Sequence, residues 1–163
     1  METVLGFLKD QARRTPDAPS IYSRSSAGDW KPVSWATLWS KVVHLAKWLR
    51  KRGLVSGDRL GIISPNYLEW ELTHLAGLVS GAIVIGLDGH DTAERLQKIV
   101  ENAAIDVLVV KDRAVLVKIG EMSQRVKLIV LLYADKEKML GNVVHWDEIW
   151  KDAESHGDDE VSL

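Results

Sequence analysis

Asp88-Gly89-His90-Asp91 is the richest grouping of chemically able residues in the chain. A histidine can donate or accept a proton near neutral pH, a glycine lets backbone approach a ligand closely, and a helix beginning just beyond favours an anion. The same residues also suit a plainer role, with Gly89 in a tight turn, Asp91 capping a helix and His90 solvated. Two other loops, Ser64-Pro65-Asn66 and Lys111-Asp112-Arg113, fall at equivalent places after apolar runs. In an open α/β sheet all three meet at the carboxyl ends of the strands, where ligands bind.

Familiar nucleotide signatures are missing. No G-x-G-x-x-G follows a strand and no G-x-x-x-x-G-K-S/T occurs, so neither a dinucleotide fingerprint nor a P-loop is encoded. In Gly77-Leu78-Val79-Ser80-Gly81 the serine comes one position late for a nucleophile elbow, and at a helix end. The run after the first strand ends in Ser64, where a phosphoreceiver-like module would carry acids. The five histidines, His44, His74, His90, His145 and His156, make no i+2, i+3 or i+4 pair that could clasp a metal. His145-Trp146-Asp147 reads as a capping aspartate beside a surface histidine. Cysteine is absent, which excludes disulfides, thiolate zinc sites and a cysteine nucleophile. No carboxylate pair has a context that argues for a raised pKa. There are seven tryptophans. Trp35, Trp39 and Trp70 fall on helix faces expected to be buried. Trp48 projects from the polar side of its helix, either packed on another segment or forming a contact surface for a missing domain.

The elements that would position the three loops follow from hydrophobic period. Val4, Leu5, Leu8 and Ala12 predict an opening helix, broken at Thr15-Pro16-Asp17-Ala18-Pro19. Ser20–Arg24 and Trp30–Val33, separated by a Ser/Gly/Asp stretch, predict a hairpin, with Pro32 confining the second strand to an edge. Trp35, Leu38, Trp39, Val42, Val43, Ala46 and Leu49 draw one apolar stripe along a helix from Ser34, its N-cap, to Gly53, its C′ residue.

From residue 54 strands and helices alternate. Strands are expected at Arg59–Ser64, Ala82–Leu87, Asp106–Val110 and Lys127–Leu132. Helices are expected from an Asn66 cap to Ser80, from Asp91 or Thr92 to Ala104, and from Asp112 to Ser123. The strand runs are continuously apolar rather than alternating, so both sheet faces should be covered. Tyr133–Asn142 reads as a polar connector, Val143–His145 as a brief extended piece, and Trp146–Ala153 as a short helix. The fold class is α/β: a doubly wound, mostly parallel sheet with flanking helices and an N-terminal β-hairpin. Residues 1–154 make one α/β subdomain and 155–163 an acidic linker.

Composition agrees with a soluble globular domain, with 163 residues, 46% apolar and 27% charged. Lysine and arginine total 21 against 23 acids, a formal charge of −2, so a strongly basic nucleic-acid binder is excluded. The charge is uneven, +6 over residues 1–59 and −8 over residues 60–163. No apolar run reaches the roughly 18 residues of a membrane span, and the start lacks a signal-peptide pattern, so the expected compartment is the cytoplasm.

The order of these pieces resembles the start of the adenylate-forming enzymes: acyl-CoA synthetases, luciferases and the adenylation domains of peptide synthetases. The resemblance is carried by Pro16–Pro19, by L-x-x-x-G-L-x-x-G-D-R-L-x-I at Leu49–Ile62, by Asn66–Trp70, and by G-A-I-V-x-G-L at Gly81–Leu87. It covers nearly the whole chain and leans toward acyl-CoA synthetases.

The resemblance implies a ligase in which a carboxylate attacks the α-phosphate of ATP, giving acyl-adenylate and pyrophosphate, and a thiol, usually of CoA, then displaces AMP. It implies ATP, Mg²⁺ and CoA for a full-length parent, with the remainder of that ligase as partner and a carboxylic acid as substrate. The Ser/Thr/Gly-rich phosphate loop ending in Pro-Lys-Gly is not in these residues, nor are the adenine-ribose site, the Mg²⁺-contacting Glu and the C-terminal Lys. This chain is therefore expected to hold no cofactor and to be inert alone. It is also expected to expose apolar surface that favours self-association.

In acyl-CoA synthetases the loop after the Gly-Ala strand can approach the CoA nucleotide, and here that loop is Asp88, Gly89 and His90. Acetate-activating members carry an aromatic and two glycines there. Their basic residues after the next strand are out of register with Lys111, Arg113 and Lys118. The rival reading is a free-standing α/β interaction or regulatory module that binds through its strand ends and Trp48.

Overall fold

A computed structural model describes residues 3–24, 28–133 and 141–151. Helix α1 (Val4–Arg14) starts at Thr3, whose hydroxyl accepts the Gly6 N–H at 3.0 Å. Strands β1 (Pro19–Arg24) and β2 (Trp30–Ser34) pair antiparallel as the expected hairpin. Its expected loop residues Ser25, Ser26 and Ala27 lie outside the described residues. Ser34 ends β2 and caps α2 (Trp35–Lys51) by accepting the Thr37 N–H. That helix stops in a Schellman turn: Gly53 takes φ +96° and the Leu54 N–H reaches back to the Leu49 carbonyl at 3.0 Å.

The main sheet then assembles from β3 (Arg59–Ile63), α3 (Leu68–Val79), β4 (Ile83–Gly86), α4 (Ala93–Asn102), β5 (Val107–Asp112), α5 (Arg113–Ile119), a 3₁₀ turn (Gly120–Arg125), β6 (Leu128–Tyr133), β7 (Val143–His145) and α6 (Glu148–Lys151). Its strand order is β4-β3-β5-β6-β7 and every pairing in it is parallel. The chain steps one way from β3 to β4, then crosses back to β5. Right-handed crossovers put α3 on one face and α4 and α5 on the other.

Each face has its own core. Leu60, Val107, Val109 and Val130 meet α1, α2 and α3 through Leu8, Val42, Leu45, Leu72 and Leu75. Leu108, Val110, Ile129 and Leu131 meet Leu96, Val100, Val115 and Ile119 of α4 and α5. The doubly wound α/β sheet and the hairpin are as the residues predict.

Four details differ. Asn66 does not cap α3: the Tyr67 N–H closes on the Pro65 carbonyl at 2.7 Å, which uses up the residues after the proline and leaves Tyr67 at the cap position without a side-chain bond. Glu69 and Glu71 in the first turn offset the exposed N–H dipoles instead. Helix α5 ends at Ile119, where Gly120 turns to φ +59°, and the chain continues as 3₁₀. The brief extended piece Val143–His145 is a fifth parallel strand beside β6. Finally, β4 is an edge strand with Ile83 57% exposed, so its continuous apolar run is not covered on both sides.

Candidate functional site

Parallel strands place the loops after β3, β4 and β5 on one edge, and the reversal of winding between β3 and β5 is the topological switch point of the sheet. The three loops singled out from the sequence therefore share that edge. Gly89 lies over it: a Cβ there would stand 3.6 Å from the Ile63 Cγ2 at the end of β3 and 3.8 Å from the Val115 Cγ2 on α5. These are ordinary contacts, and Gly89 is not among the positive-φ glycines, so neither space nor backbone requires glycine here.

One cation holds this loop in place. The Lys118 ammonium donates to the Gly89 carbonyl at 2.8 Å and to the Asp91 carbonyl at 3.3 Å, tying α5 to the β4–α4 connection. Asp88 shapes the loop tip by accepting the His90 backbone N–H at 2.9 Å and facing His90 Nδ1 at 3.0 Å. Those two bonds, with the nearby His90 and Arg95 charges, outweigh slight burial and hold the Asp88 carboxyl below its ordinary 3.8. His90 is almost wholly exposed at 94%, so the pair sits on an open surface rather than inside a cleft.

Several cations and cap positions around the β4 and β5 loops are engaged by the chain itself. Thr92 accepts the Arg95 N–H and caps α4, Arg95 pairs with Asp91 at 3.4 Å, and Lys111 pairs with Asp112 at 3.4 Å. Asp112 also caps α5 by accepting the Val115 N–H at 3.0 Å. Among the described residues no group of three or more His, Asp or Glu could hold a metal ion.

Sequence reasoning missed an aromatic-acid cluster at the same edge. Tyr133, the last residue of β6, meets Tyr67 edge-to-face at 5.9 Å. Burial, with the charge and hydrogen bond of Glu69, pushes the Tyr133 phenol up to about 12. The available signal was its place at a strand's carboxyl end.

Elsewhere the tryptophans are structural. Trp48 is packed, only 3% exposed, with the Arg52 guanidinium 4.7 Å over its ring, so it offers no docking surface. Trp35, Trp39 and Trp70 are half-buried rather than buried. His44 Nε2 donates to the Ile149 carbonyl at 2.6 Å and its ring stacks on Trp150, docking α6 on α2. His145 is half-buried rather than on the surface, and its Nδ1 accepts the Asp147 N–H at 3.1 Å, so the ring and not the expected aspartate side chain makes the local bond.

Residues 8–162 match the AMP-binding enzyme family. The chain belongs to that family. Among curated relatives this AMP-binding family member is 24% identical over 150 residues to the long-chain-fatty-acid–CoA ligase ACSBG2 of Mus musculus, covering 90% of the chain and 22% of the relative. It is 29% identical over 110 residues to enterobactin synthase component F of Escherichia coli, covering 68% of the chain and 8% of that protein. Its fold superposes on acetoacetyl-CoA synthetase from Streptomyces lividans with a TM-score of 0.81 at 18% identity, over 96% of this chain and 25% of that one. The chain therefore spans about a quarter or less of the length of these relatives.

Proposed function

We propose that the chain is the amino-terminal part of an ATP-dependent ligase that activates a carboxylic acid as its acyl-adenylate and passes it to CoA. Its own contribution is scaffold: a two-core sheet whose carboxyl edge faces the rest of the enzyme. The observation that carries this reading is the ordered family match over residues 8–162 together with a span of only 22% of the mouse ligase. Adenylyl transfer needs cationic and backbone donors already placed around the phosphates. The cations at this edge are instead spent on the chain's own carbonyls and carboxylates. Alone, the chain is catalytically inert.

In that parent, the Asp88-Gly89-His90 loop is the part of this chain nearest the CoA nucleotide, residues 1–154 are the subdomain and 155–163 the linker toward the phosphate loop. The linker lies outside the described residues. Exposed apolar side chains, Trp30 at 64% and Ile83 at 57%, supply surface for the missing part or for self-association. No helix among the described residues is long and apolar enough to cross a membrane, and we place the ligase in the cytoplasm. Packing of Trp48 removes one of the two contacts, beside the strand ends, on which a free-standing interaction module would rely.

Two experiments test the proposal. Reading the coding sequence beyond Leu163 should reveal a Ser/Thr/Gly-rich loop ending in Pro-Lys-Gly within a few tens of residues, and its absence there would refute the parent. Carboxylate-dependent ATP–pyrophosphate exchange by the purified chain should be nil across aliphatic and aromatic acids, and turnover with any of them would refute inertness.

A further inference from the structure

A groove of about 330 Å³ lies between the hairpin and the start of α3, walled by Ile21, Tyr22 and Ser23 on one side and Asn66, Tyr67, Leu68, Trp70 and Glu71 on the other. It has the volume of a small-ligand site and three aromatic rings in its walls. Its electrostatics are one-sided. No lysine or arginine lines it, and the one cation of β1, Arg24, is held over the Trp30 ring at 5.3 Å. Glu71 is half-buried, and its carboxylate has no hydrogen-bond or ion-pair partner among the described residues, nor has the Asn66 amide. The charge of the neighbouring acid, Glu69, instead acts on Tyr133.

Both walls are fixed. The Ser20 hydroxyl donates to the Val33 carbonyl at 2.7 Å, and Ile21 and Val33 anchor the hairpin on the core. The opposite wall is held by the Tyr67–Pro65 turn and by Tyr67 against Tyr133. A half-buried carboxylate left unpaired beside tyrosine and tryptophan faces is an arrangement whose missing partner is a positive charge. A cation seated there gains both the ring quadrupoles and a charge-assisted contact.

We infer that this groove binds an organic cation, an ammonium or guanidinium group, through Tyr22, Tyr67, Trp70 and the Glu71 carboxylate. The inference does not depend on the ligase reading, since it uses no residue of the β4–α4 loop. The groove's volume fits a small amine, and a basic side chain of a polypeptide is the other outcome that the test separates.

The test is an NMR titration of the chain with choline, with choline's uncharged carbon isostere, and with a blocked arginine peptide. The expected result is a saturable shift of the Trp70 indole and Tyr67 ring signals with at least one of the two cations and none with the isostere. Glu71→Gln should weaken the response about tenfold, as loss of a partly desolvated cation contact does. Tyr22→Ala, on the exposed hairpin, should weaken it without changing the thermal midpoint. Choline binding assigns a small amine, and binding of the arginine peptide alone assigns a polypeptide side chain. No saturable shift with either cation, an equal response to the isostere, or unchanged affinity in Glu71→Gln would overturn the site.

Discussion

Replacing Lys118 with methionine removes the ammonium that ties α5 to the β4–α4 loop but keeps an unbranched apolar stem in its place. Two bonds are lost, and only the one to Gly89, at 2.8 Å, is short enough to count fully. A hydrogen bond from a charged donor is worth about 1.5–3 kcal/mol net. Lys118 is half-exposed and water can replace part of it, so the lower end applies, about 1.5 kcal/mol. For a domain of this size that is a fall of roughly 3–6 °C in thermal midpoint. The distinguishing consequence is local. Amide exchange at His90 and Asp91, whose N–H groups are bonded to Asp88, should rise about tenfold, because 1.4 kcal/mol is a factor of ten in the opening equilibrium, while amides of β5 and β6 should change only with global stability. Hydrogen exchange followed by NMR reads both. If loop and strand amides speed up equally, or the loop does not respond, Lys118 is not what holds this edge together.

Asp106 sits at the opposite end of the sheet, bound by Arg59 and Lys127 at 2.9 and 3.1 Å. Burial pushes its carboxyl up, but the Arg59 N–H, the Lys127 hydrogen bond and both charges outweigh it, leaving the pKa below 3.8. A depressed carboxyl stabilises the fold above its unfolded pKa and loses that contribution as pH falls through the folded value. Asp106→Asn should therefore cost about 2 kcal/mol at neutral pH and progressively less below about pH 4, read by urea unfolding across pH. Tyr133 should ionise at about 12, and Glu69→Gln should bring it down. Phenolate absorbance in an alkaline titration checks this, and no change in the Glu69→Gln variant would contradict the assigned cause. In Gly77→Ala the new methyl would stand 2.7 Å from the Val84 Cγ2 and 2.8 Å from the Leu60 Cδ2. Helix propensity offers about 1 kcal/mol in favour. Overpacking of a stiff valine and a wholly buried leucine costs about 1–3, so net destabilisation of about 1 kcal/mol is expected in the same unfolding assay, and stabilisation would show that α3 shifts freely.

Local signals were the most legible. The Ser34 cap and the Gly53 stop each act within a few residues, and the structure reproduces them. Of the seven-residue stripe Leu38, Val42, Ala46 and Leu49 are buried, Trp35, Trp39 and Val43 are half-buried, and Leu45 and Trp48 join the buried face. The order of β-branched runs sufficed for the parallel sheet, because right-handed crossovers leave few alternatives. It sufficed also to put the Asp88–Asp91 loop at the carboxyl edge of the sheet. What escaped depends on partners distant in sequence. Val143–His145 is too short to read as a strand and becomes one only by pairing with β6. Nothing around Lys118 announces that its ammonium will reach carbonyls 29 and 27 positions away. The same holds for Glu71, whose surroundings are completed by the hairpin. Asn66 had the right residue type for a cap, but the turn made by Pro65 took its place.

In the proposed ligase these residues frame the enzyme without gripping its nucleotide. Calorimetric titration of the purified chain with ATP and Mg²⁺, in the presence and absence of a carboxylic acid, is then expected to give no saturable heat and no pyrophosphate. Stoichiometric ATP binding accompanied by pyrophosphate release would contradict it.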